Sequence, residues 1–384
     1  MKNKYLLALS AGHAITDINQ GALPAILPFI IAAGGLKYTQ AAGLSFAVAL
    51  SSSIVQPVFG ILSDKLAKPW LLPLGVLLAG CGLSLIGFFP DNYWLMFIAA
   101  IVCGLGVAAY HPESARMANK MAGKKKSGNM SIYSVGGNIG FALGPMLATP
   151  ALLHFGLRGS AVMAIPAVTM FIVFGRISPS MYKLETAPEG GEAAIQEADK
   201  NEWGKFIWLS FAIISRSVIG QGLNTFLPLY WIDVLQQSEA TSAMVLSFLF
   251  FCGAVFTVLG GHLADRIGLN KLVTLSWILL IPSLFFLTRT TDPRVAFVLL
   301  VPIALGLHSN NTPLVLLGQK YLPANIGFAS GVTLGLAVSI GGIMAPLLGN
   351  YADHNGLTAT LRSLSLLPLI GVLVAITIKP PAKA

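Results

Sequence analysis

Long apolar runs recur from one end of this chain to the other, and most are about twenty residues long. A helix needs roughly 20 apolar residues to cross the hydrocarbon core of a bilayer. Because 55% of the residues are hydrophobic and only 10% are charged, the chain cannot cover a water-facing surface. The sequence therefore predicts an all-α membrane protein.

The apolar runs predict twelve membrane-spanning helices joined by short loops. We place them at 5–33, 41–63, 70–89, 93–116, 128–153, 159–177, 205–231, 241–264, 271–288, 294–318, 326–350 and 357–378. The first run is too long for a cleaved signal peptide and carries Asp17, so it is interpreted as a span. The long polar segment 178–204 predicts a cytoplasmic linker between two six-helix bundles, 1–177 and 205–384.

Lysine and arginine residues concentrate in alternate loops. With the N-terminus inside, eighteen of the 24 fall on the inner side, five fall on the outer side, and Arg216 lies within a span. The positive-inside rule then places both termini in the cytoplasm of a multi-pass protein of the inner (plasma) membrane. The net charge of +9 forms no basic stripe with aromatic residues, so we expect no nucleic-acid partner. The three cysteines lie in apolar runs, and their spacing predicts no metal site.

An internal repeat relates the two halves at one offset of 201 residues. It pairs the following positions: Gln20 with Gln221, Gly60 with Gly261, Asp64 with Asp265, Pro112 with Pro313, and Pro145 with Pro346. Transporter folds commonly contain such repeats. The sequence therefore predicts two pseudo-symmetric halves.

Several motifs in this sequence resemble those of the major facilitator superfamily. A G-x-x-x-D-[RK] pattern follows spans 2 and 8, as Gly60…Asp64-Lys65 and Gly261…Asp265-Arg266. Span 5 carries a G-x-x-x-G-P pattern, similar to the antiporter motif of that superfamily, as Gly140…Gly144-Pro145. The resemblance implies the major facilitator fold, in which spans 1, 4, 7 and 10 line a central cavity and transport proceeds by alternating access.

Within the superfamily, the chain resembles the fosmidomycin-resistance branch. The residues that carry this resemblance are Gly12-His13…Asp17, Gln56-Pro57…Gly60…Asp64, His111-Pro112-Glu113…Arg116 and Val135-Gly136-Gly137-Asn138…Gly144-Pro145. The resemblance implies a proton-coupled exporter of small molecules. No P-loop and no arrangement of catalytic residues occur in the sequence, so we expect no enzymatic activity. We also expect no cofactor, with a proton gradient as the source of energy.

Two carboxyl groups, Asp17 and Glu113, lie inside predicted spans, Asp17 near the middle of the first span. A carboxyl group in lipid is costly, usually faces a cavity and is more easily protonated than in water. His13 lies one turn before Asp17 on the same helix face, and His111 lies beside Glu113. We therefore predict proton coupling by His13, Asp17, His111 and Glu113. The alternative is a fixed structural hydrogen bond within span 1.

Arg216 is the one cation inside a predicted span away from its ends. A guanidinium group suits carboxylate, phosphonate or phosphate groups. The alternative is a side chain that extends toward the inner interface. Polar residues also concentrate in spans 1, 4, 7 and 10, together with one in span 5. The predicted substrate-binding residues are Arg216, Gln20, Tyr110, Asn138, Gln221, Asn224, His308 and Asn311.

A third set of residues is predicted to control the conformational change. It comprises Asp64, Lys65, Arg116, Asp265 and Arg266 near the inner face, and Gly140, Gly144 and Pro145 in span 5. Glycines let neighbouring helices approach closely. Two partners are open for Arg116, namely Glu113 on its own helix and Asp64.

The preferred hypothesis is proton antiport that exports a small organic molecule, with anions among the candidate substrates. Proton symport that takes up a small organic anion uses the same residues in the opposite direction. A non-transporting membrane sensor or scaffold is a third hypothesis, but the short loops offer no partner domain. The expected partners are the substrate, protons and the lipid bilayer, and we expect a monomer.

Overall fold

The chain folds into long helices, and the residues that the structure describes contain no strand. The computed structural model describes residues 2–66, 70–121, 126–185, 201–325, 328–329, 332–333 and 337–378. Long apolar stretches favour helices here. In a bilayer there is no water to hydrogen-bond the backbone N–H and C=O groups, and a helix makes all of these hydrogen bonds within its own segment. The predicted all-α class is therefore confirmed.

Six α-helices form the first half of the chain. They are α1 (Lys2–Gly34), α2 (Tyr38–Leu66), α3 (Leu71–Ile86), α4 (Tyr93–Met121), α5 (Lys126–Phe155) and α6 (Ala164–Glu185). A 3₁₀ helix, Gly156–Met163, leads into α6. Predicted spans 1 to 6 coincide with these helices. Helix α6 also continues through residues 178–185, which the sequence assigned to the linker, and residues 186–200 lie outside the described part of the chain.

The second half contains helices that correspond to predicted spans 7 to 12. They are α7 (Trp203–Asp233), α8 (Glu239–Ile267), α9 (Leu269–Leu287), α10 (Pro293–His308), α11 (Asn311–Tyr321), α12 (Ala337–Leu364) and α13 (Leu367–Thr377). Predicted span 10 is divided between α10 and α11. Helix α12 bends sharply at Gly356, where φ is 79°. This bend lies between predicted spans 11 and 12.

Eight helical segments of the described chain are long and apolar enough to cross a membrane. Two of them, Ile132–Lys183 with 52 residues and Ser339–Thr377 with 39, are each long enough for two crossings. Helix α3 is a shorter apolar helix of 16 residues, and α2, which is not among the eight, has 29 residues and is long enough for one further crossing. These lengths agree with a twelve-span membrane protein.

The chain divides into two compact units, residues 1–191 with 239–248 and residues 192–238 with 249–384. In the first unit, α5 packs closely on α1 along glycines. A Cβ atom added at Gly144 would lie 2.5 Å from the Ala22 nitrogen and from the Ile18 oxygen, so only glycine permits this spacing. Two apolar cores fill the unit, one around Leu27 and the other around Tyr110.

In the second unit, α12 packs on α7, and α10 packs on α9. A Cβ atom added at Gly341 of α12 would lie 2.8 Å from the Ser217 carbonyl oxygen. One added at Gly306 of α10 would lie 2.8 Å from the Ser276 carbonyl oxygen. Small residues therefore set the helix spacing in this unit as well.

Candidate functional site

A buried carboxylate in the first unit is surrounded by two histidines and a glutamine. Asp17 is 3% exposed. Its Oδ2 lies 3.2 Å from Nε2 of His13, one turn earlier on α1. Its Oδ1 lies 2.9 Å from Nε2 of His111 on α4 and accepts a 2.9 Å hydrogen bond from Nε2 of Gln20. We call His13, Asp17, Gln20 and His111 the histidine–aspartate cluster.

The second ring nitrogen of His13 indicates where the protons of the His13–Asp17 pair lie. Nδ1 of His13 lies 3.0 Å from the carbonyl oxygen of Tyr133 on α5. A carbonyl oxygen only accepts, so Nδ1 carries a hydrogen. Nε2 then faces a carboxyl oxygen, and this contact needs a proton either on Nε2 or on Asp17. The pair therefore binds one exchangeable proton in addition to the one on Nδ1.

Aromatic rings and a glycine hold the cluster in place. The Tyr133 ring stacks on His13 with 4.3 Å between centroids, and its hydroxyl lies 2.6 Å from Oγ of Ser114. A Cβ atom added at Gly137 would lie 2.6 Å from both Asp17 Oδ2 and His13 Nε2. Helix α5 thus contributes the stacked ring of Tyr133 and, at Gly137, a position where the lack of a side chain leaves room for Asp17 and His13. Tyr133 and Ser114 were not predicted from the sequence, because neither is charged and Tyr133 reaches His13 from 120 residues away.

The histidines connect the carboxylate to the surface of the unit. The side chain of His111 is 21% exposed and that of His13 is 12% exposed, whereas that of Asp17 is 4% exposed. Both imidazoles are therefore more accessible than the carboxylate that they contact. The ligand atoms of His13, Asp17 and His111 also lie within 4.8 Å of one another, a spacing that a metal ion requires. These three side chains could therefore also hold a metal ion.

A second buried carboxylate, Glu113, lies on another face of α4. Glu113 is 0% exposed. Arg116 donates to it twice, from Nε at 3.0 Å and from Nη2 at 2.7 Å. Tyr182 of α6 donates its hydroxyl to the same carboxylate, and its ring lies 5.8 Å from the guanidinium carbon. Of the two partners left open for Arg116, the structure shows Glu113, and Tyr182 joins the pair from 69 residues away. The Asp64 side chain lies outside the described residues.

The polar residues predicted in the second unit lie on α7, α10 and α11. Arg216 and His308 are both partly buried and lie within electrostatic range of each other. Gln221 donates to Oγ1 of Thr225 at 3.4 Å. Asn224 and Asn311 are partly buried, on α7 and at the start of α11.

Two other predicted binding residues lie in different surroundings. Tyr110 is 0% exposed and donates its hydroxyl to the carbonyl oxygen of Leu9 at 2.7 Å, which holds α4 against α1. Asn138 is exposed on α5.

The residues predicted to control the conformational change fall into two groups. Gly140, Gly144 and Pro145 are buried in α5, and both glycines touch the α1 backbone. Asp265 and Arg266 are exposed near the end of α8. Lys65 belongs to the end of α2, and its side chain, like that of Asp64, lies outside the described residues.

Comparison with known families and proteins places this fold and its motifs among transporters. The family model of the Major Facilitator Superfamily matches residues 9–381. The chain is 32% identical to the uncharacterized MFS-type transporter YfnC of Bacillus subtilis (strain 168), over 96% of this chain and 91% of that protein. It is 29% identical to the fosmidomycin resistance protein of Escherichia coli (strain K12), over 95% of this chain and 90% of that protein.

More distant similarities agree with this placement. The chain is 24% identical to the multi-drug resistance efflux pump PmrA of Streptococcus pneumoniae, over 69% of this chain and 68% of that protein. Among solved structures, a bacterial homolog of the human lysosomal transporter Spinster superimposes with a TM-score of 0.77 at 17% identity, covering 97% of this chain and 96% of that one. The nucleoside transporter NupG gives 0.72 at 14% identity, over 97% and 98%.

Proposed function

The chain belongs to the major facilitator superfamily of membrane transporters, and we propose that it is a proton-coupled antiporter that exports a small organic molecule by alternating access. The observation that supports proton coupling is the histidine–aspartate cluster. It combines a buried carboxylate with two partly exposed imidazoles, and the His13–Asp17 contact requires one exchangeable proton. A proton carrier in a membrane needs such a group, because an unpaired charge there is costly.

The cluster also links the proton to the packing of three helices. Asp17 contacts His111 across α1 and α4, and His13 contacts the Tyr133 carbonyl across α1 and α5. When the proton leaves, the Asp17–His13 contact loses its hydrogen and the two groups repel. The hydrogen bonds that join α1, α4 and α5 then rearrange. In this proposal, that rearrangement biases the transporter between its two conformations.

Export is the favoured direction because of the relatives that match. The names of two of them describe resistance and efflux, the fosmidomycin resistance protein and the multi-drug resistance efflux pump. The G-x-x-x-G-P pattern of α5 supports the same direction through its similarity to the antiporter motif. Symport of a small organic anion would use the same cluster, and the direction of substrate movement distinguishes the two mechanisms.

The experiment that tests the proposal measures proton flux in proteoliposomes. A pH gradient is imposed, and a panel of small organic acids, amines and neutral drugs is added while a pH-sensitive dye reports proton movement. The expected result is a substrate-dependent proton efflux or influx that Asp17→Asn abolishes. Asp91→Asn, at an exposed aspartate between α3 and α4 of the same unit, is the matched control and should behave as wild type.

Three outcomes would contradict parts of the proposal. Unchanged coupling in Asp17→Asn would remove the cluster from the mechanism. Loss of activity in EDTA, with recovery on adding a divalent cation, would show that the cluster works with a metal ion rather than with protons alone. Substrate movement in the same direction as the protons would replace antiport with symport.

A further inference from the structure

Two imidazole nitrogens and a carboxylate oxygen of the first unit lie close enough together to bind one metal ion. The donor atoms of His13, Asp17 and His111 all lie within 4.8 Å of one another. Nε2 of His13 is 3.2 Å from Oδ2 of Asp17, and Nε2 of His111 is 2.9 Å from Oδ1. In a tetrahedral zinc site, with bonds of about 2.0–2.2 Å, neighbouring donor atoms lie about 3.4 Å apart. These nitrogen–oxygen distances therefore need to lengthen by only about 0.5 Å or less to hold such an ion.

The hydrogen bonds around the donor atoms are a second, independent observation. Nδ1 of His13 donates to the carbonyl oxygen of Tyr133 at 3.0 Å, so a neutral ring presents the lone pair of Nε2 to the Asp17 carboxylate. Two acceptors that face each other in this way need a cation between them. Metal-binding histidines typically make such a hydrogen bond with their second ring nitrogen, because it fixes the tautomer and the ring orientation. Gln20 orients the carboxylate in the same manner, through its 2.9 Å hydrogen bond to Oδ1 of Asp17.

The surroundings of the three side chains leave an ion a way in. The side chain of His111 is 21% exposed and that of His13 is 12% exposed. At Gly137 the lack of a side chain keeps α5 clear of both Asp17 Oδ2 and His13 Nε2. With three donors from the protein, a fourth position remains for a water molecule, as in zinc sites that are open to solvent.

The types of donor select the class of metal. Imidazole suits zinc, copper and nickel, whereas magnesium and calcium prefer sites made of carboxylates, carbonyl groups and water. Two imidazoles with one carboxylate therefore favour a transition-metal ion. The sequence gave no reason to expect a metal site, because its cysteines have no ligand spacing and His111 reaches Asp17 from 94 residues away.

We propose that His13, Asp17 and His111 form a binding site for a divalent transition-metal ion such as Zn²⁺, which displaces the exchangeable proton and inhibits transport. The displaced proton leaves to solution, as is usual when a metal ion binds a protonated site. The bound ion joins α1 to α4 through its bonds to Asp17 and His111, so these contacts no longer rearrange with the proton. The inhibition rests on the proposed function, because it requires the cluster to carry the coupling proton, whereas metal binding itself does not.

The first test is isothermal titration of the purified full-length protein in detergent, after EDTA treatment and removal of the chelator. ZnCl₂ is the probe, and MgCl₂ is the comparison. Wild-type protein should bind Zn²⁺ at least hundredfold more tightly than Mg²⁺. His111→Gln and Asp17→Asn should each weaken Zn²⁺ binding at least tenfold, because even the loss of a residue that only supports a metal ligand typically costs 10–100-fold.

His154→Gln is the matched control, because it removes an exposed histidine from α5 of the same unit. It should bind Zn²⁺ like wild type. Equal binding of Zn²⁺ and Mg²⁺ by wild-type protein, or wild-type affinity for Zn²⁺ in both His111→Gln and Asp17→Asn, would overturn the site. If neither of these variants folds, Co²⁺ bound to wild-type protein decides the question. Strong visible absorption, typical of four-coordinate cobalt, is expected, and the weak absorption of hydrated cobalt would refute the site.

The second test adds Zn²⁺ to wild-type proteoliposomes during the proton-flux assay. Saturating Zn²⁺ should reduce substrate-dependent proton flux at least tenfold, excess EDTA should restore it, and the same concentration of Mg²⁺ should have no effect. Zn²⁺ that binds without reducing the flux would refute the inhibition while the metal site stands. Flux that requires the metal ion, and is lost in EDTA alone, would also refute the inhibition. If no substrate drives proton flux, the proposed function fails, and the titration still tests the metal site.

Discussion

Replacing Glu113 with glutamine tests whether its ion pair with Arg116 is structural. The carboxylate is fully buried and accepts two hydrogen bonds from the guanidinium and one from Tyr182. Removing one partner of a buried ion pair costs roughly 3–5 kcal/mol, mostly because the other charge remains buried. The glutamine oxygen still accepts one hydrogen bond from Arg116. We therefore expect Glu113→Gln to lower the free energy of unfolding by about 3 kcal/mol.

A double-mutant cycle isolates the interaction between the two side chains. The Glu113→Gln/Arg116→Gln variant carries no buried charge at this position. It should therefore be less destabilised than the sum of the single variants, with a coupling energy of about 2 kcal/mol. Unfolding in mixed detergent micelles, followed by circular dichroism, measures all four proteins. A coupling energy below about 0.5 kcal/mol would refute the reasoning.

The same variant separates two roles for Glu113. The sequence predicts Glu113 as a proton-coupling residue beside Asp17. That hypothesis expects Glu113→Gln to stop proton-coupled transport with little change in stability. The structural role expects a loss of stability, with coupling retained in the protein that stays folded. Measuring both quantities in the same preparation decides between them.

Two further substitutions test how the first unit is built. Gly137→Ala brings a methyl group to 2.6 Å from Asp17 Oδ2, so it should reduce proton-coupled transport several-fold. Gly175→Ala in α6 is the control and should not reduce transport, because a Cβ atom there meets nothing within 4 Å. Equal activity of the two variants would contradict this packing. Tyr110→Phe removes the hydrogen bond to the Leu9 carbonyl and should lower stability by about 1 kcal/mol without weakening substrate binding. A large loss of substrate affinity with unchanged stability would restore Tyr110 to the binding site.

The spans could be predicted from the sequence because the length and polarity of a membrane helix are local properties. The break between α10 and α11 was harder to predict. Pro112 and Pro313 occupy the same position in the repeat, yet α4 continues through Pro112 whereas predicted span 10 divides before Pro313. At this break the backbone of Ser309 closely approaches Gly260 of α8, a contact between helices that the sequence does not display.

The candidate site was predictable where its contacts are local. His13 and Asp17 are four residues apart, so helix geometry places them on one face. The sequence grouped His111 with Glu113, but residues two apart on a helix point in nearly opposite directions. In the structure His111 contacts Asp17, and Glu113 contacts Arg116. Tyr182 was not predicted because it reaches its partner from another helix.

The repeat offset itself separates residues that build the fold from those that carry chemistry. Gly106 of α4 packs on Gly75 of α3, and Gly306 of α10 packs on Ser276 of α9, so the two halves share these contacts at nearly the same offset.

By contrast, an offset of 201 residues places Val218 opposite Asp17 and Ile214 opposite His13. The second half therefore lacks, at these positions, the histidine and the carboxylate that form the His13–Asp17 pair of the first half. Arg216 likewise corresponds to Ile15 in the first half. Because the helix contacts are shared and these particular titratable side chains are not, we expect the chemistry of each half to lie where the two copies differ. This asymmetry is why we propose proton binding in the first unit.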